Sequence, residues 1–259
     1  MSFSTGFAVA LIGMSLTVLE PHLVVAQPSA DEVLARMDEL QRQYKNESAR
    51  LEMRLFDEGR QIRRRELKLF SSRDAAGHIR ALVEFTDPPD IRGLRLLTIQ
   101  TDDGDDQRIY LPALRRIQRI AGSARENRFA GSDLSYEDLR VRNREDYTSR
   151  IMDSTASHWT IESIPKDKDS PYGRIVSEID KEMYVVTKAR YFDREDRLRK
   201  VLTATDFEDM GDHVWKASNI TMEDVRAERR TELEYLQRDL QTAISPDVFT
   251  DRYLRRGVQ

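Results

Sequence analysis

Residues 49–56 read ARLEMRLF, and this stretch decides the fold class of the 259-residue chain. Its apolar residues Ala49, Leu51, Met53 and Leu55 stand at every second position, with mostly charged residues between them. Successive side chains of a β-strand point to opposite faces of a sheet. The spacing therefore predicts a strand with one buried and one solvated face.

The same spacing recurs on both sides of this strand, interrupted by turn-forming residues such as Gly59 and the segments 74–77 and 102–105. Prolines 88 and 89 end one run because proline cannot donate to a strand ladder. Short strands at hairpin spacing predict a single antiparallel sheet that is strongly curved or barrel-like. The candidate strands lie at 49–56, 61–70, 79–85, 94–100, 107–111, 115–120, 139–151, 158–164, 173–180, 183–193, 197–208 and 212–222.

One amphipathic helix is predicted before the first strand, at residues 30–44. Ser29 and Glu32 have the spacing of a capping box, and Val33, Met37 and Leu40 recur at helical spacing. Residues 223–242 fit a helix and a strand equally well by pattern. Residues 245–247, Ser-Pro-Asp, predict a short C-terminal helix or turn.

The N-terminus predicts export from the cytoplasm. Residues 7–19 form an uncharged apolar run too short to span a bilayer, and small residues precede Gln27. We expect residues 1–26 to be a signal peptide, although no basic residue precedes the run. With no Gly/Ser linker in the chain, residues 27–259 are expected to form a single domain.

Composition excludes several classes of function. The absence of cysteine excludes disulfides, thiolate zinc sites and a thiol nucleophile. A net charge of −4 gives no basic excess that would attract nucleic acid. His78, His158 and His213 lack the spacing of metal ligands, and the acidic segment 102–106 lacks the length of a calcium loop. We therefore expect no enzyme, no metal and no cofactor.

Four motifs carry a resemblance to a known family. They read DPPDIRG at 87–93, YLPALRRI at 110–117, GSDLSYEDL at 131–139 and PDVFT at 246–250. Together they resemble the LolA-like family, the outer membrane lipoprotein-sorting proteins of the periplasm. The resemblance implies a mainly β (α+β) fold: an incomplete, strongly curved antiparallel β-barrel with helices covering its concave face. It also implies a strand at 226–241 and an apolar cavity for acyl chains.

The implied function is a periplasmic carrier of lipoprotein acyl chains or another lipid, with transient contact to a membrane surface. An alternative is an accessory module of an RND-type inner-membrane exporter that carries no lipid itself, and a hydrolase with an unrecognised site is a third hypothesis. The predicted lid helix presents Val33, Met37 and Leu40. The predicted cavity lining, which could equally fill an ordinary core, is Leu51, Met53, Leu55, Val83, Phe85, Leu96 and Leu111.

Arginines cluster around the second and third motifs. Arg115, Arg116 and Arg119 are candidates for contact with an anionic head group or an acidic partner, and Arg125 and Arg128 belong to the same run. The alternative is a solvated strand face and loop. The acidic residues beside Tyr136 similarly fit either a recognition loop or ordinary turn and cap chemistry.

Overall fold

The computed structural model describes residues 27–102 and 104–256, so the expected signal peptide lies outside the described residues. Helix α1 spans Ala30–Gln41, and the capping box between Ser29 and Glu32 is present. Short 3-10 turns and helix α2, Asp251–Leu254, complete the helical part. The strands are β1 (Asn46–Asp57), β2 (Arg60–Arg73), β3 (Ile79–Asp87), β4 (Arg95–Thr101), β5 (Gly104–Leu111), β6 (Arg116–Ile120), β7 (Tyr147–Ser154), β8 (His158–Pro165), β9 (Arg174–Asp180), β10 (Val186–Phe192), β11 (Leu198–Asp209), β12 (Trp215–Asp224) and β13 (Arg229–Asp239).

Within the described residues, the strands form one antiparallel sheet that does not close. Its order is β6-β5-β4-β3-β2-β1-β13-β12-β11-β10-β9-β8-β7, so every neighbouring pair except β1–β13 is consecutive along the chain. Strand β1 pairs with β13 at the centre, from Ser48 opposite Asp239 to Asp57 opposite Arg229. Strands β6 and β7 form the two edges. The segment between them, residues 121–146, passes from one edge to the other and is called the covering segment below.

The contacts of the covering segment show how strongly the sheet curves. The carbonyl of Tyr136 accepts a hydrogen bond from Gln107 of β5, and Asp138 accepts one from Lys200 of β11. Strands β5 and β11 are seven positions apart in the sheet, about 34 Å if it were flat. Two residues of chain span only about 7 Å. The face carrying Gln107 and Lys200 is therefore concave, and the expected incomplete, curved barrel is confirmed.

The convex face is covered on one side of the sheet by the C-terminal segment. Leu82 of β3 and Leu97 of β4 pack there against Phe249 and Leu254. Arg95, only 3% exposed, donates hydrogen bonds to Glu84 and to main-chain carbonyls of the C-terminal residues, including that of Leu254 at 2.9 Å. The end of the chain is thus fastened to β3 and β4.

Two predictions about secondary structure are resolved. Residues 229–239 are strand β13, so the helical alternative for 223–242 is wrong. The strand predicted at 139–151 is wrong in its first half, because β7 begins only at Tyr147. Residues 137–139 and 144–146 form 3-10 turns that belong to the covering segment. Across residues 27–102 and 104–256, no helix combines the length and apolar character needed to cross a membrane.

Candidate functional site

One half of the concave face is filled by the covering segment. Phe129 and Tyr136 are buried in the core. The ring centroid of Phe129 lies 5.5 Å from that of Phe85 and 5.8 Å from that of Tyr136. Leu134 joins the same cluster. Aromatic pairs at these distances contribute beyond the burial of their area. This half of the barrel therefore has a packed interior.

Buried ionic groups anchor this segment to β11. The carboxylate of Asp138 accepts hydrogen bonds from Lys200 Nζ at 2.7 Å and from the Tyr172 hydroxyl at 2.7 Å. The side chains of Asp138 and Lys200 are 1% and 4% exposed. Burial alone would raise the pKa of Asp138, but the nearby charges of Lys200 and Arg142 outweigh it and lower that pKa. Asp138 thus stays ionised and fixes the segment in place.

A second anchor joins the segment to β13. Thr231 donates its hydroxyl proton to Asp133 at 2.8 Å and accepts from the Asp133 amide at 2.8 Å. Ser135 and Asp138 cap each other's amides across the 3-10 turn at 137–139. The GSDLSYEDL motif therefore performs turn, cap and anchoring chemistry, which decides between the two interpretations of its acidic residues.

The seven residues predicted to line a cavity share the concave face. Five of them are at most 3% exposed and pack in the same core cluster as the covering segment: Leu51, Met53, Leu55, Phe85 and Leu96. Val83 and Leu111 are half-buried against that cluster. Their role in binding lipid stays a prediction, because at this level of the barrel the chain's own side chains fill the space.

A strip of half-buried apolar side chains crosses the concave face beside the covering segment. Register places Val83 opposite Leu69, and Leu233 opposite Ile220. Leu202 lies opposite Ala189 of β10, and Ala189 in turn lies opposite Ser177 of β9. This apolar strip has half-buried members on β3, β2, β13, β12 and β11, and the inward side chains of β1 between them are buried. Its half-buried members are Leu69, Val83, Leu202, Ile220, Leu233 and Tyr235.

The other half of the concave face is covered by α1. Val33 packs against Trp159, Ile161 and Ile179, and is 1% exposed. Helix α1 therefore packs over β7–β10 through Val33, and the role of Val33, Met37 and Leu40 as a lid over a ligand stays a prediction. Leu40 is 3% exposed, and Met37 is partly exposed.

A cavity of about 220 Å³ remains between α1 and this part of the sheet. The space exists because small side chains form the floor of the cavity on its sheet side. Serines occupy inward positions on three strands: Ser149 of β7 lies opposite Ser163 of β8, and Ser177 is on β9. The Oγ atoms of Ser149 and Ser163 lie 2.9 Å apart and satisfy each other. The walls are Leu34, Met37, Asp38, Arg142, Asn143, Arg144, Tyr147, Ile175 and Val186. We call this space the α1 cavity.

The predicted arginine cluster divides into two groups. Arg115 and Arg116 are exposed at the β5–β6 hairpin, while Arg119 is exposed but pairs with Asp106 at 2.8 Å. Arg125 instead pairs with Asp167 at 2.9 Å, and Arg128 pairs with Asp133 at 2.7 Å. Those last two hold the covering segment together and present no free charge to a partner.

Sequence reasoning missed both the covering segment and the α1 cavity. Phe129, Leu134 and Tyr136 lie in irregular chain and show no periodicity. The cavity had a weak signal: Ser163 and Ser177 stand at inward positions where alternation alone predicts apolar residues.

The incomplete barrel is a LolA-like fold, and solved structures share it over most of this chain. An outer membrane lipoprotein-sorting protein domain from Vibrio parahaemolyticus matches with a TM-score of 0.81 and 28% identity, over 87% of this chain and 97% of that chain. A DUF1329 family protein from Desulfovibrio piger matches with a TM-score of 0.80 and 25% identity, over 86% and 96%. A LolA superfamily protein from Nitrosomonas europaea shares the fold, with a TM-score of 0.70 and 17% identity over 88% and 100%.

Residues 77–256 match the profile of a family described as "Uncharacterized protein", and the chain belongs to that family. The matched range runs from β3 through the covering segment to α2. No curated protein matches the chain in sequence.

Proposed function

We propose that this protein is a non-catalytic carrier that binds acyl chains on its concave face in the periplasm. The single observation that carries the proposal is the unfilled part of that face. The α1 cavity holds about 220 Å³ of space, and the apolar strip ends at Leu202, which the buried Ala189 separates from Ser177 of the cavity floor. A globular protein rarely leaves contiguous apolar surface open without a binding partner.

The similarity to the Vibrio domain supports the same class of ligand. That domain is named for outer membrane lipoprotein sorting, and it matches nearly the whole of this fold. Lipoprotein acyl chains or another lipid of similar shape are the proposed cargo. Transient contact with a membrane surface would allow loading and release.

The energetics require both parts of the site. The α1 cavity has room for about seven groups the size of a water molecule. Seven methylenes, at about 0.8 kcal/mol each, would give only a dissociation constant near 0.1 mM. A carrier needs tighter binding, so the rest of the chain would lie along the apolar strip.

Lipid mass spectrometry of the full chain, expressed with export to a bacterial periplasm and purified without detergent, tests the proposal. We expect co-purified acyl lipid in the wild type. Ser177→Leu raises the cavity floor and should abolish most of it. Thr148→Leu places the same side chain on the exposed outer face of β7 and should leave it unchanged. Lipid-free wild type, or equal lipid in both variants, would contradict the proposal.

A second candidate function is docking on an RND-type inner-membrane exporter, and the β5–β6 hairpin favours it. Leu114 at its tip is 62% exposed, and Arg115 and Arg116 beside it are exposed. Among the described residues, neither arginine has a carboxylate within salt-bridge distance. An apolar tip flanked by free cations fits an acidic partner surface.

Co-purification with the exporter tests this surface. Arg115→Glu combined with Arg116→Glu should reduce the recovered exporter at least tenfold. Arg63→Glu combined with Arg60→Glu, two exposed positions on β2, serves as the matched control. Equal recovery from both double variants would reject docking through this hairpin.

A further inference from the structure

Two arginines line the α1 cavity, and two more lie outside its lining near the C-terminus of α1. Arg142 and Arg144 line the cavity directly, and their side chains are 32% and 33% exposed. Arg42 caps α1 four residues after the cavity residue Asp38, and its guanidinium lies beside Gly77 of the β2–β3 turn. Arg73 ends β2, and its amide donates to the carbonyl of Lys45, three residues after Arg42.

These charges are only partly neutralised within the described residues. Arg144 pairs with Glu145 at 3.0 Å, and Arg142 lies 3.9 Å from Asp138, which Lys200 already holds. Arg42 and Arg73 have no carboxylate within 4 Å in the described part of the chain. The side chain of Arg73 donates only to the carbonyl of Gly77.

The cavity itself contains one carboxylate, Asp38. Burial raises the pKa of Asp38, partly offset by the charges of Arg42 and Arg144. Asp38 makes no side-chain hydrogen bond or ion pair among the described residues. One carboxylate against the guanidinium groups of Arg142 and Arg144 in the lining, with Arg42 and Arg73 nearby, leaves this end of the cavity electropositive.

We propose that the α1 cavity selects an anionic amphiphile with one acyl chain, whose chain lies over the serine floor and whose head group meets Arg42, Arg73, Arg142 and Arg144. The inference rests on the proposed function and narrows its cargo. The apolar walls of Leu34, Met37 and Val186 bind the chain, and the guanidinium groups bind a carboxylate or phosphate in a fork geometry. The ligand class is therefore a free fatty acid or a similar single-chain anionic lipid.

Isothermal titration calorimetry of the full chain with decanoate, decanol and inorganic phosphate tests the inference. Decanoate and decanol have the same chain length and differ in charge. We expect decanoate to bind at least tenfold more tightly than decanol, and phosphate to bind more weakly than either. Arg42→Gln and Arg144→Gln should each lower decanoate affinity by three- to tenfold without changing decanol affinity.

Two further variants test whether charge within the cavity, and not the net charge of the protein, sets the affinity for decanoate. Asp38→Asn should raise decanoate affinity severalfold, since it removes the one acidic group in the cavity. Arg115→Gln, an equal loss of charge at the distant hairpin, should have no effect. Equal affinity for decanoate and decanol would overturn the charge selection while leaving acyl binding intact. Phosphate binding as tight as decanoate would show a simple anion site, and no binding of either amphiphile would overturn the inference together with acyl binding in the cavity.

Discussion

The two halves of the concave face have different covers and different floors. The covering segment lies on large residues such as Met53 and Phe85 and is tied down by the buried Asp138–Lys200 pair. Helix α1 lies over serines, and in the described structure no hydrogen bond joins it to β7, β8, β9 or β10. One half is therefore packed and fastened, and the other leaves space under a cover that only apolar contacts hold to these four strands, although Gln41 at its end accepts a hydrogen bond from Lys216 of β12 at 2.7 Å. The difference shows that small residues on the floor, and not an absent cover, create the cavity.

The largest expected effect comes from breaking the anchor of the fastened half. Lys200→Met would leave the buried Asp138 with Arg142 at 3.9 Å as its nearest cation, and removing one partner of such a buried pair costs about 3–5 kcal/mol of unfolding free energy. Urea denaturation measures the loss. Arg36→Met removes an exposed pair with Glu39 on α1 and should cost less than about 0.5 kcal/mol. Similar losses in the two variants would show that the buried pair is no anchor.

The next largest difference between the two halves is expected when one apolar side chain in each is truncated to alanine. Phe129 is 1% exposed, so Phe129→Ala should cost about 3–4 kcal/mol through lost burial and the cavity left behind. Met37→Ala, on the cover of the open half, should cost about 1 kcal/mol because Met37 already borders empty space. Thermal and urea unfolding of both variants give the comparison. A greater loss for Met37→Ala would reverse the assignment of packed and open halves.

The pH dependence of stability should also reside in the fastened half. The pKa of Asp138 lies below its ordinary value of 3.8 in the folded protein. Its contribution is therefore fully present above the unfolded pKa and is lost as the pH falls through the folded pKa. Asp138→Asn should cost about 2–3 kcal/mol at pH 6, and the gap to the wild type should narrow between pH 4 and pH 2.

Denaturation at a series of pH values measures that gap. Asp153→Asn, an exposed position on β7, is the control and should follow the wild type throughout. A gap for Asp138→Asn that stays constant down to pH 2 would show that the folded protein does not lower the pKa of this carboxyl.

The smallest effect is expected where the open half is filled. Ser177→Leu adds apolar volume over the cavity floor, so the free energy of unfolding should change by less than about 1 kcal/mol in either direction. The same substitution at Ser132, which is 0% exposed in the fastened half, should cost at least about 2 kcal/mol of unfolding free energy. Overpacking contributes about 1–3 kcal/mol of this cost, and the lost hydrogen bond to the Phe129 carbonyl adds to it. Equilibrium unfolding in urea measures the free energy of unfolding of the two serine variants. Equal losses in both would contradict the difference in packing between the two halves.

Much of the sheet could be predicted from sequence because its strands have one buried and one solvated face. The alternation at Leu51, Met53 and Leu55 is a direct consequence of that geometry. The capping box at Ser29 and Glu32 similarly marks the start of α1. The family resemblance, and not the pattern, was needed to assign residues 229–239 to a strand, since Leu233 and Leu236 also fit helical spacing.

The interior of the barrel could not be predicted in the same way. Residues of the covering segment are held by long-range partners, such as Thr231 for Asp133, which leave no periodic signal in the local sequence. The arginine run shows the same limit: Arg125 and Arg128 have internal carboxylate partners, whereas a partner or head-group contact of Arg115, Arg116 and Arg119 stays a prediction. Exposure of a charged residue depends on its neighbours in space, which spacing along the chain does not reveal.

The pairing of β1 with β13 has a consequence for how the protein is made. The middle of the sheet joins residues 46–57 to residues 229–239, so its two halves cannot be united until almost the entire chain has been synthesised. Contacts of such wide sequence separation form slowly because a long loop must close first. The central pairing of the sheet is therefore expected among the last contacts to form, and the two ends of the folded domain depend on each other for stability.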